Sequence, residues 1–227
     1  MKKKIITFAL ILFGLATLSA CGKTKLNLAD YCIEKRCNLF TASDSNYTIS
    51  LSTGKREENY SLDGVVGNMV DFGVVTFSRL DKNPMANDTY HYDITIGEEV
   101  YSGDLIKSDL DNTYSVDLGI ALQDDAEVSA KVSFTGYTFE QNLISTSQDF
   151  SVGADQALGI ATKELNESVN NVMKDHNNIE VVMKILKDYS TSDVKAYYWY
   201  VGVISTDGQT MGILIDANTS NIIAKKI

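Results

Sequence analysis

The side chains of this chain that could do chemistry are 30 carboxylates, three cysteines and two histidines. Cys32 and Cys37 enclose Ile-Glu-Lys-Arg. That C-x4-C spacing differs from the C-x-x-C of a redox pair, and two thiols are too few for a structural zinc site. A local disulfide is therefore the expectation. His91 sits in an alternating run beside Tyr90 and Tyr92, and His176 sits among Asp and Asn. Neither has a nucleophile motif nearby, and G-x-S-x-G, H-E-x-x-H, the P-loop and G-x-G-x-x-G do not occur. Acidic residues crowd the segment from Asp104 through Asp109, Asp111 and Asp117 to Asp124, Asp125 and Glu127. Calcium takes several oxygen ligands gathered by a loop, which makes Asp109 and Asp111 the metal candidates, although Asp109 to Tyr114 lacks the glycine of an EF-hand. Solvated β-turns account for the same residues. A glycosidase-like pair of carboxylates could come from any of these loops, so their presence selects no reaction. The expectation is a protein that is not an enzyme and needs no cofactor, calcium being the one candidate ion.

Length and charge narrow the setting. The chain has 227 residues, is 44% hydrophobic and carries a formal charge of −10, which excludes a disordered tail and argues against nucleic acid as a partner. Lys2, Lys3 and Lys4 precede a 14-residue stretch, Ile5 to Leu18, that is apolar apart from Thr7, Gly14 and Thr17. It is shorter than a membrane span and fits the core of a signal peptide. The run Leu18-Ser19-Ala20-Cys21 that follows resembles a bacterial lipobox. That resemblance implies cleavage before Cys21, a diacylglyceryl group on its thiol, and an extracytoplasmic protein held on a bacterial membrane by lipid. Residues 21–37 carry a net charge of +2, residues 38–150 of −13 and residues 151–227 of −2. A basic start can lie against anionic headgroups that an acidic body avoids.

The elements that must position these groups follow from periodicity. Residues 21–45 read as a tether holding Cys32 and Cys37. Residues 46–150 show short alternating runs: Tyr47–Leu51, Val74–Leu80, Tyr90–Ile96, Tyr114–Leu118, Val128–Phe134 and Tyr137–Phe139, with Gly, Asp and Asn between them. The spacing predicts an antiparallel β-sandwich with an immunoglobulin-like pattern, without that fold's cysteine pair or tryptophan. Residues 151–227 begin with Ala154, Ala157, Leu158, Ala161, Leu165, Val169 and Val172 at helical steps, with Ser151 as the expected cap and an end near Lys174. Three alternating strands and a short fourth follow, with Asp207-Gly208 as a hairpin turn. The fold class expected is thus α+β, a sandwich followed by a small helix-plus-sheet domain.

The run Trp199-Tyr200-Val201-Gly202-Val203, then Asp207-Gly208, then Ile213-Leu214-Ile215-Asp216-Ala217-Asn218-Thr219 and Ile222-Ile223 resembles a PepSY-type domain, with Ser220 where that family usually has glycine. The resemblance implies a non-catalytic module of the kind found in propeptides of secreted peptidases and in envelope proteins, proposed to restrain a peptidase or bind envelope components. By alternation, Val182, Leu186, Tyr198, Tyr200 and Leu214 should face away from the helix. Apolar and tyrosine side chains on an uncovered face mark a contact surface for a protein or peptide, unless the sandwich packs on them. The functional expectation is a membrane-anchored envelope lipoprotein with a binding or regulatory role. The alternatives are a hydrolase using loop carboxylates or a structural spacer.

Overall fold

A computed structural model describes residues 26–227 except 82, 84, 110, 111, 176 and 189–195. Cys21 and the segment expected to be a signal peptide, Asp111 and His176 lie outside the described residues. The strands are β1 (Cys32–Ser43), β2 (Tyr47–Glu57), β3 (Met69–Arg79), β4 (His91–Ile96), β5 (Glu99–Asp104), β6 (Ile106–Lys107), β7 (Tyr114–Leu118), β8 (Val128–Phe134) and β9 (Tyr137–Ser145). The helix α1 (Ala154–Lys174) follows, then β10 (Ile179–Asp188), β11 (Ala196–Ser205), β12 (Thr210–Asp216) and β13 (Ile222–Lys226).

All these strands belong to one sheet network, and this overturns the expected sandwich followed by a separate PepSY-like domain. One path runs β13-β12-β11-β10-β1-β2-β3-β7-β6. A second layer, β5-β4-β8-β9, joins it where β9 pairs with β1 at Phe40↔Ser145 and Thr41↔Ile144. The far side is bridged by the chain itself, since β5 runs through buried Leu105 directly into β6. The result is a mostly antiparallel sheet nearly closed into a barrel, with one parallel pair, β1 beside β10.

The strand that joins the two regions lies in the segment expected to be a tether. Its sequence hides it because two irregularities break the two-residue period, one between Cys32 and Glu34 and one between Arg36 and Asn38. Adjacent residues of β1 feed two cores. Leu39 packs with the α1-side cluster of Val169, Val181, Met183, Trp199, Val201 and Ile213, and Phe40 packs with Ile49, Leu51, Val75, Phe77 and Phe139 inside the barrel. Aromatic rings fill the barrel: Tyr47 stacks on Phe77 at 5.2 Å, and Phe77 meets Phe139 edge-on at 5.5 Å. Buried Tyr90 and Tyr114 both donate to the Ala86 carbonyl, and burial pushes the Tyr90 phenol up to about 12.

The helix buries six of the seven residues of its expected apolar stripe, Ala157, Leu158, Ala161, Leu165, Val169 and Val172, and Ala154 packs half-buried beside them. Its N-cap is Gly153, and Ser151 instead donates its hydroxyl to the Asn218 carbonyl at 3.0 Å. Trp199 donates its indole N–H to the Val152 carbonyl at 2.7 Å, which ties the start of α1 to β11. In the β12–β13 turn, Ser220 holds φ at 64°, a left-handed conformation that costs a residue with a Cβ.

Because β1 carries side chains for both cores, the protein should unfold as one unit. Leu39→Ala and Phe40→Ala should each cost ~2–5 kcal/mol and lower a single shared transition in urea, followed by fluorescence and circular dichroism. Two separated transitions would restore the picture of independent domains.

Candidate functional site

Alternation along β10, β11 and β12 places Val181, Met183, Ile185, Trp199, Val201, Ile213 and Ile215 under α1, all buried. The five residues expected to face away, Val182, Leu186, Tyr198, Tyr200 and Leu214, are all half-buried. The register brings them together: Leu186 lies opposite Tyr198, and Tyr200 opposite Leu214. Tyr200 is also structural. A Cβ built on Gly202 would stand 2.6 Å from its hydroxyl, and one on Gly212 3.5 Å from its ring, so the tyrosine lies across two glycines of neighbouring strands.

Sequence reasoning missed the polar half of this face. Arg36 lies beside Lys184 in the parallel pair, and Glu34 lies opposite Arg56. Arg36 Nε binds Glu34 Oε1 at 2.7 Å, and Arg56 Nη1 reaches Asp117 Oδ2 at 3.2 Å. The Arg56 guanidinium sits 3.8 Å from the ring centre of Phe72, and Arg36 5.6 Å from the same ring. Lys184 stands 5.8 Å from the Tyr200 ring and pairs with no carboxylate among the described residues. Burial, reinforced by the Arg36 charge and only partly offset by that of Glu34, lowers its pKa below the ordinary lysine value. Polar and charged residues in alternating runs read as an exposed face, and only the pairing of β1 with β10 puts these cations side by side.

One end of the face is walled by the loop of residues 58–68. Buried Glu180, at the start of β10, accepts with Oε1 from the backbone N–H of Asp63 at 2.9 Å and of Gly64 at 3.0 Å. Glu57 Oε1 accepts from Gly67 N–H, and Asn178 Nδ2 donates to the Asp63 carbonyl at 3.1 Å. Gly64 holds φ at +73°, and a Cβ there would fall 2.0 Å from the Asn178 Cβ, so glycine is required twice over. Burial raises the Tyr60 phenol, assisted by the Glu180 and Glu57 charges. Between wall and face lies a groove of about 460 Å³ lined by Ile33, Glu34, Arg56, Glu57, Glu58, Tyr60 and Val182. A larger hollow of about 560 Å³ at the barrel end of β8 and β9 has Glu127 as its sole ionisable lining residue.

The other sequence-predicted groups lie elsewhere. Cys32 and Cys37 are free thiols in one strand. They stand at two positions of the same strand instead of facing each other across a pair, and the expected disulfide is absent. Both thiols pack against the α1-side core, and burial raises both, Cys37 to about 11. Asp109 is exposed, and among the described residues no group of three or more His, Cys, Asp or Glu could hold a metal ion. His91 is a surface partner of Asp104 at 3.0 Å across β4 and β5. The chain matches no protein-family model, no curated protein and no solved structure.

Two measurements follow from this geometry. Glu180→Ala leaves two loop N–H groups without an acceptor, and should cost ~2–3 kcal/mol while speeding amide exchange at Asp63 and Gly64; Glu180→Gln keeps a carbonyl acceptor and should cost less than half as much. Equal losses in both variants would show that the loop does not depend on that acceptor. The raised Cys37 value means the thiol form dominates to high pH, so its alkylation, followed by peptide mass spectrometry, should be roughly 100-fold slower at pH 7 than that of a free cysteine. The rate should still be climbing above pH 9, and a plateau below pH 9 would refute the burial account.

Proposed function

We propose that this is a lipid-anchored protein of the bacterial envelope whose role is to hold a protein or peptide partner, without catalysing a reaction. The observation that carries the reading is the uncovered face: half-buried Val182, Leu186, Tyr198, Tyr200 and Leu214 lie beside Arg36, Arg56 and Lys184, which makes no salt bridge among the described residues, and the pinned loop closes one end. Tyrosine and arginine supply contact area and hydrogen bonds with few side-chain rotors to immobilise, and such residues dominate binding hot spots. Lys184 is partly desolvated, and the Arg36 charge beside it outweighs that of Glu34, so a partner carboxylate placed there gains more than it would at a fully hydrated lysine.

The anchoring half of the proposal rests on the charged, apolar and Leu18-Ser19-Ala20-Cys21 zones of the sequence. Among the described residues no helix is long and apolar enough to cross a membrane.

Photo-crosslinking in bacterial envelopes tests the binding surface. A benzophenone amino acid at Tyr198 or Leu214 should capture a discrete partner, while the same group at Ile144, on the barrel, should not. Lys184→Glu should cut the yield at Leu214 at least tenfold, about 1.4 kcal/mol. Equal capture from the barrel and the face, or indifference to Lys184→Glu, would remove this surface as the binding site.

A further inference from the structure

We propose that the groove beside the 58–68 loop takes a lysine side chain of the partner, with its ammonium on Glu57 and Glu58 and its alkyl stem along Ile33 and Val182. The inference deepens the partner-binding reading above and rests on it for the source of that lysine.

Unbalanced negative charge comes first. The groove is lined by Glu34, Glu57 and Glu58 against a single cation, Arg56. Glu34 is already engaged by Arg36 at 2.7 Å, and the Arg56 guanidinium is drawn to Asp117 and to the Phe72 ring. Among the described residues Glu57 and Glu58 form no salt bridge, and neither does Glu180, which holds the loop. Burial raises the Tyr60 phenol, and the Glu180 and Glu57 charges raise it further, so both carboxylates act on a ring that lines the groove.

The second observation is a buried oxygen without a donor. Glu57 is 8% exposed and lines the groove, its Oε1 accepts from Gly67 N–H, and its Oε2 is buried with no hydrogen-bond partner. Glu180 Oε2 is buried in the same state. Burying a carboxylate oxygen without a donor is unfavourable, and a donor that also carries positive charge offsets that cost best.

The remaining chemistry selects lysine. Glu57 uses Oε1 on Gly67 and Glu58 uses Oε2 on the Asn68 amide at 3.0 Å, so neither offers the two free oxygens that an arginine fork takes side by side. An ammonium is a compact charge whose donors can be shared among oxygens of separate groups. Ile33 and Val182 give the groove an apolar surface for the stem. Calcium asks for more oxygen ligands than gather here, since among the described residues no group of three or more His, Cys, Asp or Glu could hold a metal ion. Val182 stands two residues before Lys184 on β10, which separates the lysine site from the partner carboxylate expected at Lys184 by roughly 7 Å. That spacing suits two same-face residues of opposite charge in an extended partner segment.

The test uses the full-length chain in detergent micelles with isotope-labelled glycine, followed by amide resonances. Gly64 and Gly67 N–H report on Glu180 and Glu57, and Gly97 and Gly136, in the β4–β5 and β8–β9 turns, are controls. The probe is Nα-acetyl-lysine N-methylamide. It should shift Gly67 to saturation, about tenfold more tightly than its Nε-acetylated form and about threefold more tightly than the arginine analogue, with Gly97 and Gly136 unmoved. Glu57→Gln keeps a carbonyl for Gly67 but removes the charge, and should weaken the lysine probe about fivefold or more. Glu58→Gln, at an exposed position, should weaken it as well and stands in if Glu57→Gln fails to fold. An unmoved Gly67, equal affinity for the acetylated or arginine probe, or saturation by calcium chloride at lower concentration than by lysine overturns the proposal, while photo-crosslinking from Tyr198 and Leu214 would still report on the face itself. Saturation of Gly67 with no capture from either position removes the partner-binding reading, and the partner's lysine with it.

Discussion

The backbone of β1 is the constraint on which the rest of the structure depends. It hydrogen-bonds in parallel to β10 and antiparallel to both β2 and β9, so three strands from distant parts of the sequence meet on one. Each pairing satisfies amide groups that would otherwise be buried without partners, and that obligation propagates outward through both layers. Leu39 and Phe40 then commit neighbouring side chains to different cores. Thr146 reinforces the junction, with both its N–H and its hydroxyl on the Leu39 carbonyl, at 2.9 and 3.0 Å. An irregular strand is suited to this position. Its two shifts of register let one segment follow the flat α1-covered sheet and then turn into the barrel.

The same end of the sheet concentrates the polar interactions that are expensive to arrange. Glu57 and Glu180 are buried carboxylates, and each has one oxygen on backbone N–H groups of the 58–68 loop and a second oxygen with no partner. Burying a carboxylate is unfavourable unless its hydrogen bonds compensate. What this arrangement provides is a defined loop conformation, with apolar side chains turned outward from a rigid base. Rigid presentation of exposed apolar residues serves binding, because no order has to be created on contact. The open face beside the loop combines an aromatic and aliphatic floor with a row of cations, in a chain whose overall charge is strongly negative.

Much of the local structure was legible in the sequence. The alternating runs Tyr114–Leu118 and Val128–Phe134 are strands with those bounds, and the apolar stripe from Ala157 to Val172 is the buried face of α1. The hairpin at Asp207-Gly208 places its glycine at φ 87°, as turn chemistry requires. The outward set from Val182 to Leu214 could be read because inward and outward residues alternate from Val181 to Leu186, from Tyr197 to Val201 and from Met211 to Asp216. Lys184, Arg36 and Arg56 could not be read as a group, since they lie on β10, β1 and β2 and meet only through pairing. Glu180 gave no signal either, because a carboxylate that faces a loop across the sheet looks in sequence like any solvent-facing residue of a strand.

What the sequence determined by itself is therefore everything that depends on near neighbours: the turns, the period of the strands, the stripe of the helix and the chemical zones before Cys21. These are set by backbone sterics and side-chain periodicity over a few residues. Tertiary structure alone decided that β1 is a central strand, that Cys32 and Cys37 stay apart as free thiols, and that strands expected in two domains form one sheet network. The physical reason is that strand partners are chosen by hydrogen bonds and packing between residues on the order of 100 positions apart, and no local pattern records which edges will meet.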